Sequence, residues 1–141
     1  MGTWILVTAC DLLIPLMMVG FGYLMRNHPP KDINGLYGYR TSRSMKNKDI
    51  WNFANTYCGA LWWKLGWPLL LLTLIVHLPF MGYGDNDMEL TVLCLTVTTV
   101  QCVVLIGSIF PVERALKREF DEHGVRIEYD KEKKETNQKG D

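Results

Sequence analysis

The sequence has little of what an enzyme or a metal protein needs. Its four cysteines, Cys10, Cys58, Cys94 and Cys102, form no Cys-x-x-Cys pair, and its three histidines lack the spacing of metal ligands. Its glycines do not follow a strand into a helix, as nucleotide-binding motifs require, and no nucleophile stands beside an orienting base. We therefore expect a protein that is not an enzyme, without metal or cofactor, whose cysteines are small buried apolar residues.

An excess of charge of one sign is also absent. Fifteen basic and fifteen acidic residues cancel, and we expect no direct nucleic-acid binding. The charges are, however, strongly segregated from the apolar residues. Residues 4–25, 61–80 and 90–110 are each long and apolar enough to cross a bilayer, which needs about 20 residues. The pattern predicts an all-α membrane protein with three transmembrane helices.

Basic residues are distributed unevenly between the loops. Residues 26–60 carry six Lys or Arg, whereas residues 81–89 carry none and hold three acidic residues. The positive-inside rule therefore predicts that the first loop and the C-terminus are cytoplasmic and that the N-terminus is outside. We expect a multi-pass protein of the bacterial plasma membrane, with a membrane module over residues 1–110 and a charged cytoplasmic tail over 111–141. In that tail we expect a short helix from Glu113 to Glu122 that stops at Gly124, then either a short strand or no regular structure over residues 125–129, and disorder over residues 131–141.

The segment between the first two spans is polar, basic and aromatic at once. Gly35 and Gly38 allow a tight loop, and Arg40 and Arg43 can each fork onto a phosphate or a carboxylate. A cation cluster of this kind could simply anchor the loop to anionic lipid. The fixed glycines and two arginines three positions apart favour a shaped binding site instead.

A helical period begins after this loop. Ser44 or Asn47 is a suitable N-cap. The pattern then predicts an amphipathic helix that lies in the cytoplasmic interface before the second span. One face would hold Ile50, Trp51, Ala54, Tyr57, Cys58 and Leu61, and the other Lys48, Asn52, Asn55 and Gly59.

Residues 34–47, NGLYGYRTSRSMKN, followed by Trp51, Asn52, Ala54, Asn55 and Gly59, resemble the signature of the SdpI family of bacterial membrane proteins. The resemblance covers roughly residues 15–110, the membrane module. It implies an immunity protein against a secreted killing peptide and a signal transducer that holds a transcriptional repressor at the membrane. The candidate binding residues are Asn34, Tyr37, Gly38, Tyr39, Arg40, Thr41, Arg43, Ser44, Asn47, Trp51, Asn52 and Asn55.

The expected partners follow from this resemblance and from the spans. They are the lipid bilayer, a toxin peptide, a cytoplasmic regulator and, because small helical membrane proteins often assemble, a second copy of the chain. An alternative to immunity is a scaffold that recruits a soluble partner through its basic cytoplasmic face.

Polar residues within the spans offer a third alternative, a small transporter or lipid-handling protein. Asp11 either faces the bundle interior or reaches water at the outer interface. Gln101 and Thr98 lie on one polar face of the third span. They either hold helices together or share a polar cavity with Asp11. We interpret His77, near the outer end of the second span, as an interface residue rather than a proton relay.

Overall fold

The computed structural model describes residues 2–81 and 87–128 of the chain. Its helices are α1 (Gly2–Asn27), α2 (Lys48–His77), α3 (Asp87–Gly107) and α4 (Ile109–Glu119), with a 3-10 turn at Leu78–Phe80. Within these residues, three helical stretches are long and apolar enough to cross a membrane, namely Gly2–Asn27, Lys48–Phe80 and Met88–Glu119. The predicted all-helical membrane fold is therefore confirmed.

Helices α1 and α2 run antiparallel and approach each other closely at glycines. A Cβ atom on Gly22 would stand 2.6 Å from the backbone nitrogen of Trp63, and one on Gly59 would stand 2.5 Å from that of Arg26. A Cβ atom on Gly66 would stand 2.7 Å from the side-chain Cγ2 of Val19 and 3.0 Å from its backbone nitrogen. Small residues let helix backbones pack against each other where the surrounding lipid provides no hydrophobic drive.

Helix α2 begins at an N-cap that the sequence predicts. The side-chain oxygen of Asn47 accepts a hydrogen bond from the backbone N–H of Ile50 at 2.9 Å, and Asn47 has extended backbone angles. Of the two proposed caps, Asn47 is therefore the one used. The amphipathic segment that follows is helical as expected, and it continues without a break into the second span.

The best-covered apolar cluster lies at the Lys48 end of α2. It joins the first turns of α2 to α4 and to the loop before α2. Its buried members are Met25, Tyr39, Ile50, Ala54, Cys58, Val112, Leu116 and Phe120. The apolar face of the amphipathic segment is thus covered largely by protein. The assignment of Asn55 and Gly59 to a polar outer face is wrong, because both are buried.

Helix α4 differs in position from the predicted tail helix. It starts at Ile109 and ends at Glu119, and its buried residues are Val112 and Leu116. Gly124 is not the helix stop, since it lies in the following turn with a φ of 86°. An isolated bridge between Phe120 and Arg126 closes that turn. The acidic residue Asp85 and the predicted disorder of residues 131–141 lie outside the described residues.

Candidate functional site

The signature loop, residues 34–47, is folded against the start of α2. Gly38 has a φ of 123°, which favours glycine, and a Cβ there would stand 2.6 Å from Asn55 Oδ1. The next residue, Tyr39, donates its backbone N–H to the same oxygen at 2.7 Å. Asn55 also donates to the carbonyl of Trp51 at 2.8 Å. The amide of Asn55 therefore fixes the path of the loop.

A carboxylate from α4 holds the other side of the loop. Glu113 Oε1 accepts from the hydroxyls of Tyr39 and Thr41, each at 2.9 Å, and Glu113 Oε2 lies 3.7 Å from Nε of Arg43. Burial, and then the neighbouring Glu113 carboxylate, raise the pKa of Tyr39 well above its usual value, so its hydroxyl stays a donor. The sequence analysis missed Glu113. Charge could have indicated Glu113, because it is an acidic residue at the same end of the spans as the arginines.

Most of the remaining polar groups of the loop are also used internally. Ser44 Oγ donates to the carbonyl of Tyr39 at 2.7 Å and accepts from the N–H of Thr41 at 2.8 Å. Asn34 caps the turn at Leu36 and Tyr37, and Asn47 Nδ2 donates to the carbonyl of Gly124. Trp51, fully buried, donates to the carbonyl of Pro30 at 2.8 Å. These candidate binding residues therefore shape the loop.

Only a subset of the predicted site residues is accessible to a partner. Arg40 and Asn52 are exposed and Tyr37 is half-buried. Arg40 donates through Nη1 to the carbonyl of Gly35 at 2.9 Å, which orients its guanidinium. Arg43 keeps 27% of its side chain exposed. The structure thus divides the signature into a buried framework and a small accessible surface.

Two turns beside the loop carry ordered carboxylates. Lys48 pairs with Asp32 at 2.6 Å and lowers the pKa of that carboxyl. Asp121 accepts from the backbone N–H groups of Val125 and His123, and these hydrogen bonds lower its pKa. The Lys48–Asp32 pair joins the segment after α1 to the start of α2, and the Asp121 hydrogen bonds close the turn after α4.

A second polar site lies inside the spans, around Asp11. One oxygen of the carboxyl, Oδ2, is 3.1 Å from Nε2 of His77. The other, Oδ1, accepts from Oγ1 of Thr98 at 2.8 Å and from Sγ of Cys94 at 3.3 Å. Asp11 is 2% exposed and His77 is 1% exposed. Of the two alternatives for Asp11, the bundle interior is therefore the one found, and the interpretation of His77 as an interface residue is wrong.

Gln101 extends this site by one turn of α3. Its Nε2 donates to the backbone carbonyl of Asp11 and to Oγ1 of Thr73, each at 2.9 Å. Thr73 in turn donates to the carbonyl of Leu69 at 2.8 Å. We call Asp11, Thr73, His77, Cys94, Thr98 and Gln101 the Asp11 cluster. The three residues that the sequence analysis grouped here, Asp11, Thr98 and Gln101, do meet, whereas His77 and Thr73 were missed.

The cysteines have four separate environments. All are free thiols. Cys58 is buried as expected, Cys94 belongs to the Asp11 cluster, and Cys102 is half-buried. The expectation of burial is wrong for Cys10, which is exposed on α1.

The fold and these two sites define a helical membrane protein with an ordered polar cap at one end of its spans. Residues 31–112, more than half of the chain, match the model of the SdpI/YfhL protein family, and the chain belongs to that family. This confirms the resemblance carried by residues 34–47.

One curated relative is "Uncharacterized protein YfhL" of Bacillus subtilis (strain 168). The two sequences are 35% identical over 88 residues, which cover 62% of this chain and 71% of the relative. No solved structure matches the chain.

Proposed function

We propose that the protein protects the cell whose membrane it occupies against a membrane-active toxin peptide. The observation that carries this proposal is membership of the SdpI/YfhL family together with a signature loop that is folded rather than loose. A loop that only attracted anionic lipid would need charge but no fixed shape. The many internal hydrogen bonds of this loop support a specific recognition surface.

The charge distribution supports a particular orientation for this function. The end of the spans that carries the signature loop holds six Lys or Arg within residues 26–60. By the positive-inside rule this end faces the cytoplasm of a bacterial plasma membrane, and the Asp11 end faces outside. A toxin arriving from outside would therefore meet the Asp11 half of the bundle first.

An accessible surface for such a peptide is the outward-facing side of α3. Its Val92, Leu95, Val103 and Ile106 side chains are more than half exposed. A groove of 170 Å³ runs between α2 and α3, lined mainly by aliphatic side chains, with Gln101 beneath. An apolar toxin helix can pack into such a groove and be kept from assembling with other copies of itself.

Survival of a sensitive bacterial host tests the proposal. Cells that express the protein should survive a membrane-active peptide toxin that kills cells carrying the empty vector. Val100→Phe should fill the groove and reduce protection at equal protein level. Leu6→Phe, on the exposed side of α1 outside the groove, is the matched control and should retain protection. Survival unchanged by the protein across a panel of such toxins would refute immunity.

A second candidate function is recruitment of a soluble regulator at the cytoplasmic face. The observation that favours it is an open groove of 630 Å³ between α2 and α4, lined in part by Phe53, Tyr57, Arg114 and Arg118. Two arginines beside two aromatic rings suit an acidic partner with apolar side chains.

A pull-down from membranes separates the two functions. Arg114→Ala and Arg118→Ala in the groove, and Arg40→Ala in the exposed part of the signature loop, should reduce capture of the regulator while leaving membrane insertion intact. Lys117→Ala removes an exposed cation of α4 outside the groove and is the matched control. If the arginine variants protect cells normally but capture nothing, the two functions are separate.

A further inference from the structure

The hydrogen bonds of His77 determine how many protons the Asp11 cluster holds. Nδ1 of His77 lies 2.8 Å from the backbone carbonyl of Thr73. A carbonyl oxygen only accepts, so Nδ1 carries a proton. Nε2 lies 3.1 Å from Oδ2 of Asp11, and a hydrogen bond there requires one proton between the two atoms. That proton sits on Oδ2 or on Nε2. In both arrangements the pair has no net charge.

Asp11 is also the residue of α1 to which α3 is hydrogen-bonded. Three hydrogen bonds from α3 converge on Asp11: those from Thr98 and Cys94 to Oδ1, and that from Gln101 to the backbone carbonyl. Two of the three end on the titratable group itself. A change in the charge of Asp11 therefore acts directly on the contact between these helices.

The pair also lies close to one aqueous phase. His77 is the last residue of α2, and its backbone carbonyl accepts from Nε1 of Trp4 near the start of α1. The pair therefore lies nearer to the end of the bundle at which α1 begins.

We propose that Asp11 and His77 form an intramembrane proton-binding site that takes up one further proton and thereby loosens α3 from α1. The proton comes from a hydronium ion or a protonated buffer molecule, which is left as water or free base. Asp11 is then a carboxylic acid and His77 an imidazolium, so the pair gains a net charge of one. The activity is proton-linked and is separate from recognition by the signature loop.

Two physical effects drive the loosening. When the shared proton starts on Nε2, Asp11 is a carboxylate, and hydrogen bonds to a carboxylate are roughly twice as strong as those to a neutral acceptor, so the Thr98 and Cys94 contacts weaken on protonation. When it starts on Oδ2, only the second effect acts. The uncompensated imidazolium is also unfavourable in a buried, apolar surrounding and is relieved when water or headgroups reach it.

Few other titratable groups face the pair. Among residues 2–81 and 87–128, α2 contributes His77 itself and α3 contributes Cys94, whose thiol donates to Asp11. Helix α1 adds Cys10, which neighbours Cys94 and is exposed. The remaining partners of the pair are hydroxyl, amide and carbonyl groups of Thr73, Thr98 and Gln101. Proton uptake at this site is therefore assigned to Asp11 and His77.

Thiol alkylation of the full-length protein in lipid vesicles tests the proposal. A membrane-permeant maleimide is applied at a series of pH values, and the modification of each cysteine is measured by mass spectrometry. Cys102 lies on the same helix away from Asp11 and is the internal control. As the pH is lowered, the rate at Cys94 relative to Cys102 should rise on the order of tenfold.

Asp11→Asn supplies the matched variant, since it keeps the shape of the side chain but cannot titrate. Its Cys94-to-Cys102 ratio should stay constant over the same range. A flat ratio in the wild-type protein, or the same pH profile in Asp11→Asn, would overturn the proposal.

Nitrogen-15 NMR of the imidazole rings measures the protonation of the wild-type protein directly. The wild-type protein should show one histidine whose Nδ1 stays protonated at every pH while Nε2 gains proton occupancy on acidification. Comparison with His77→Gln assigns that signal against His28 and His123. If Nδ1 of His77 carries no proton at neutral pH, the proton count assigned to the Asp11–His77 pair is wrong and the proposal fails.

Discussion

The hydroxyl of Tyr39 donates to the carboxylate of Glu113 across 2.9 Å, although 74 positions separate the two residues in the chain. This bond joins the signature loop to α4, the helix that follows the third span. The accessible surface around Arg40 therefore depends on a residue outside residues 34–55, over which the candidate binding residues were predicted.

Replacement of Glu113 should weaken this attachment. In Glu113→Gln the amide oxygen can still accept from both hydroxyls, but the side chain loses the charge that strengthens the bonds from Tyr39 and Thr41. We expect a loss of about 1–2 kcal/mol in the free energy of unfolding, measured by denaturant titration in detergent micelles. Tyr39→Phe should cost about the same, and the double variant should cost less than the sum.

Glu122→Gln is the control for that experiment, because Glu122 is exposed in the turn after α4. It should change stability by less than about 0.5 kcal/mol. Strict additivity of Glu113→Gln and Tyr39→Phe would mean that the two side chains do not share a bond.

Gly38 should tolerate no side chain, whereas Gly35, earlier in the same loop, should tolerate one. An alanine at position 38 would have to adopt a φ of 123° and would place its Cβ 2.6 Å from Asn55 Oδ1. We expect Gly38→Ala to destabilise the protein by about 2 kcal/mol or more. Gly35→Ala meets nothing within 4 Å and should be close to neutral. Equal unfolding midpoints for the two variants would contradict the loop geometry.

Much of the fold follows from the sequence because it depends on local properties. Span length and the Asn47 cap are set by neighbouring residues, and both are found in the structure. The meeting of Asp11, Thr98 and Gln101 could be anticipated as well, since polar groups in lipid must face one another.

The features that were missed depend on which elements meet in space. His77 looks like an interface residue in the sequence because only its distance from the end of the span is visible there. Asn55 falls on a polar face by helical period, yet Tyr39 approaches that face and buries it. Gly22 and Gly59 form no G-x-x-x-G pair in either helix, so the close approach of α1 to α2 is visible only when both helices are packed.

Close packing of α1 on α2 predicts opposite effects for two glycines. A methyl group at position 59 would stand 2.5 Å from the backbone nitrogen of Arg26 and 2.8 Å from the carbonyl carbon of Met25. Backbone atoms cannot rotate away, so Gly59→Ala should separate the helices and cost about 1–3 kcal/mol. Gly20→Ala, in open space on α1, should be neutral or slightly stabilising. The check is the unfolding midpoint of each variant in the same detergent.

Two asparagines one turn apart on α2 should differ sharply in their contribution to stability. Asn55 is fully buried and accepts the N–H of Tyr39, whereas Asn52 is exposed. Asn55→Ala leaves a buried backbone donor without its acceptor, so we expect a loss of about 1–3 kcal/mol. Asn52→Ala should stay within about 0.5 kcal/mol of the wild type. Hydrogen exchange locates the effect: the amide of Tyr39 should exchange faster in Asn55→Ala only. If that amide remains equally protected in both variants, another group accepts it and Asn55 does not hold the signature loop in place.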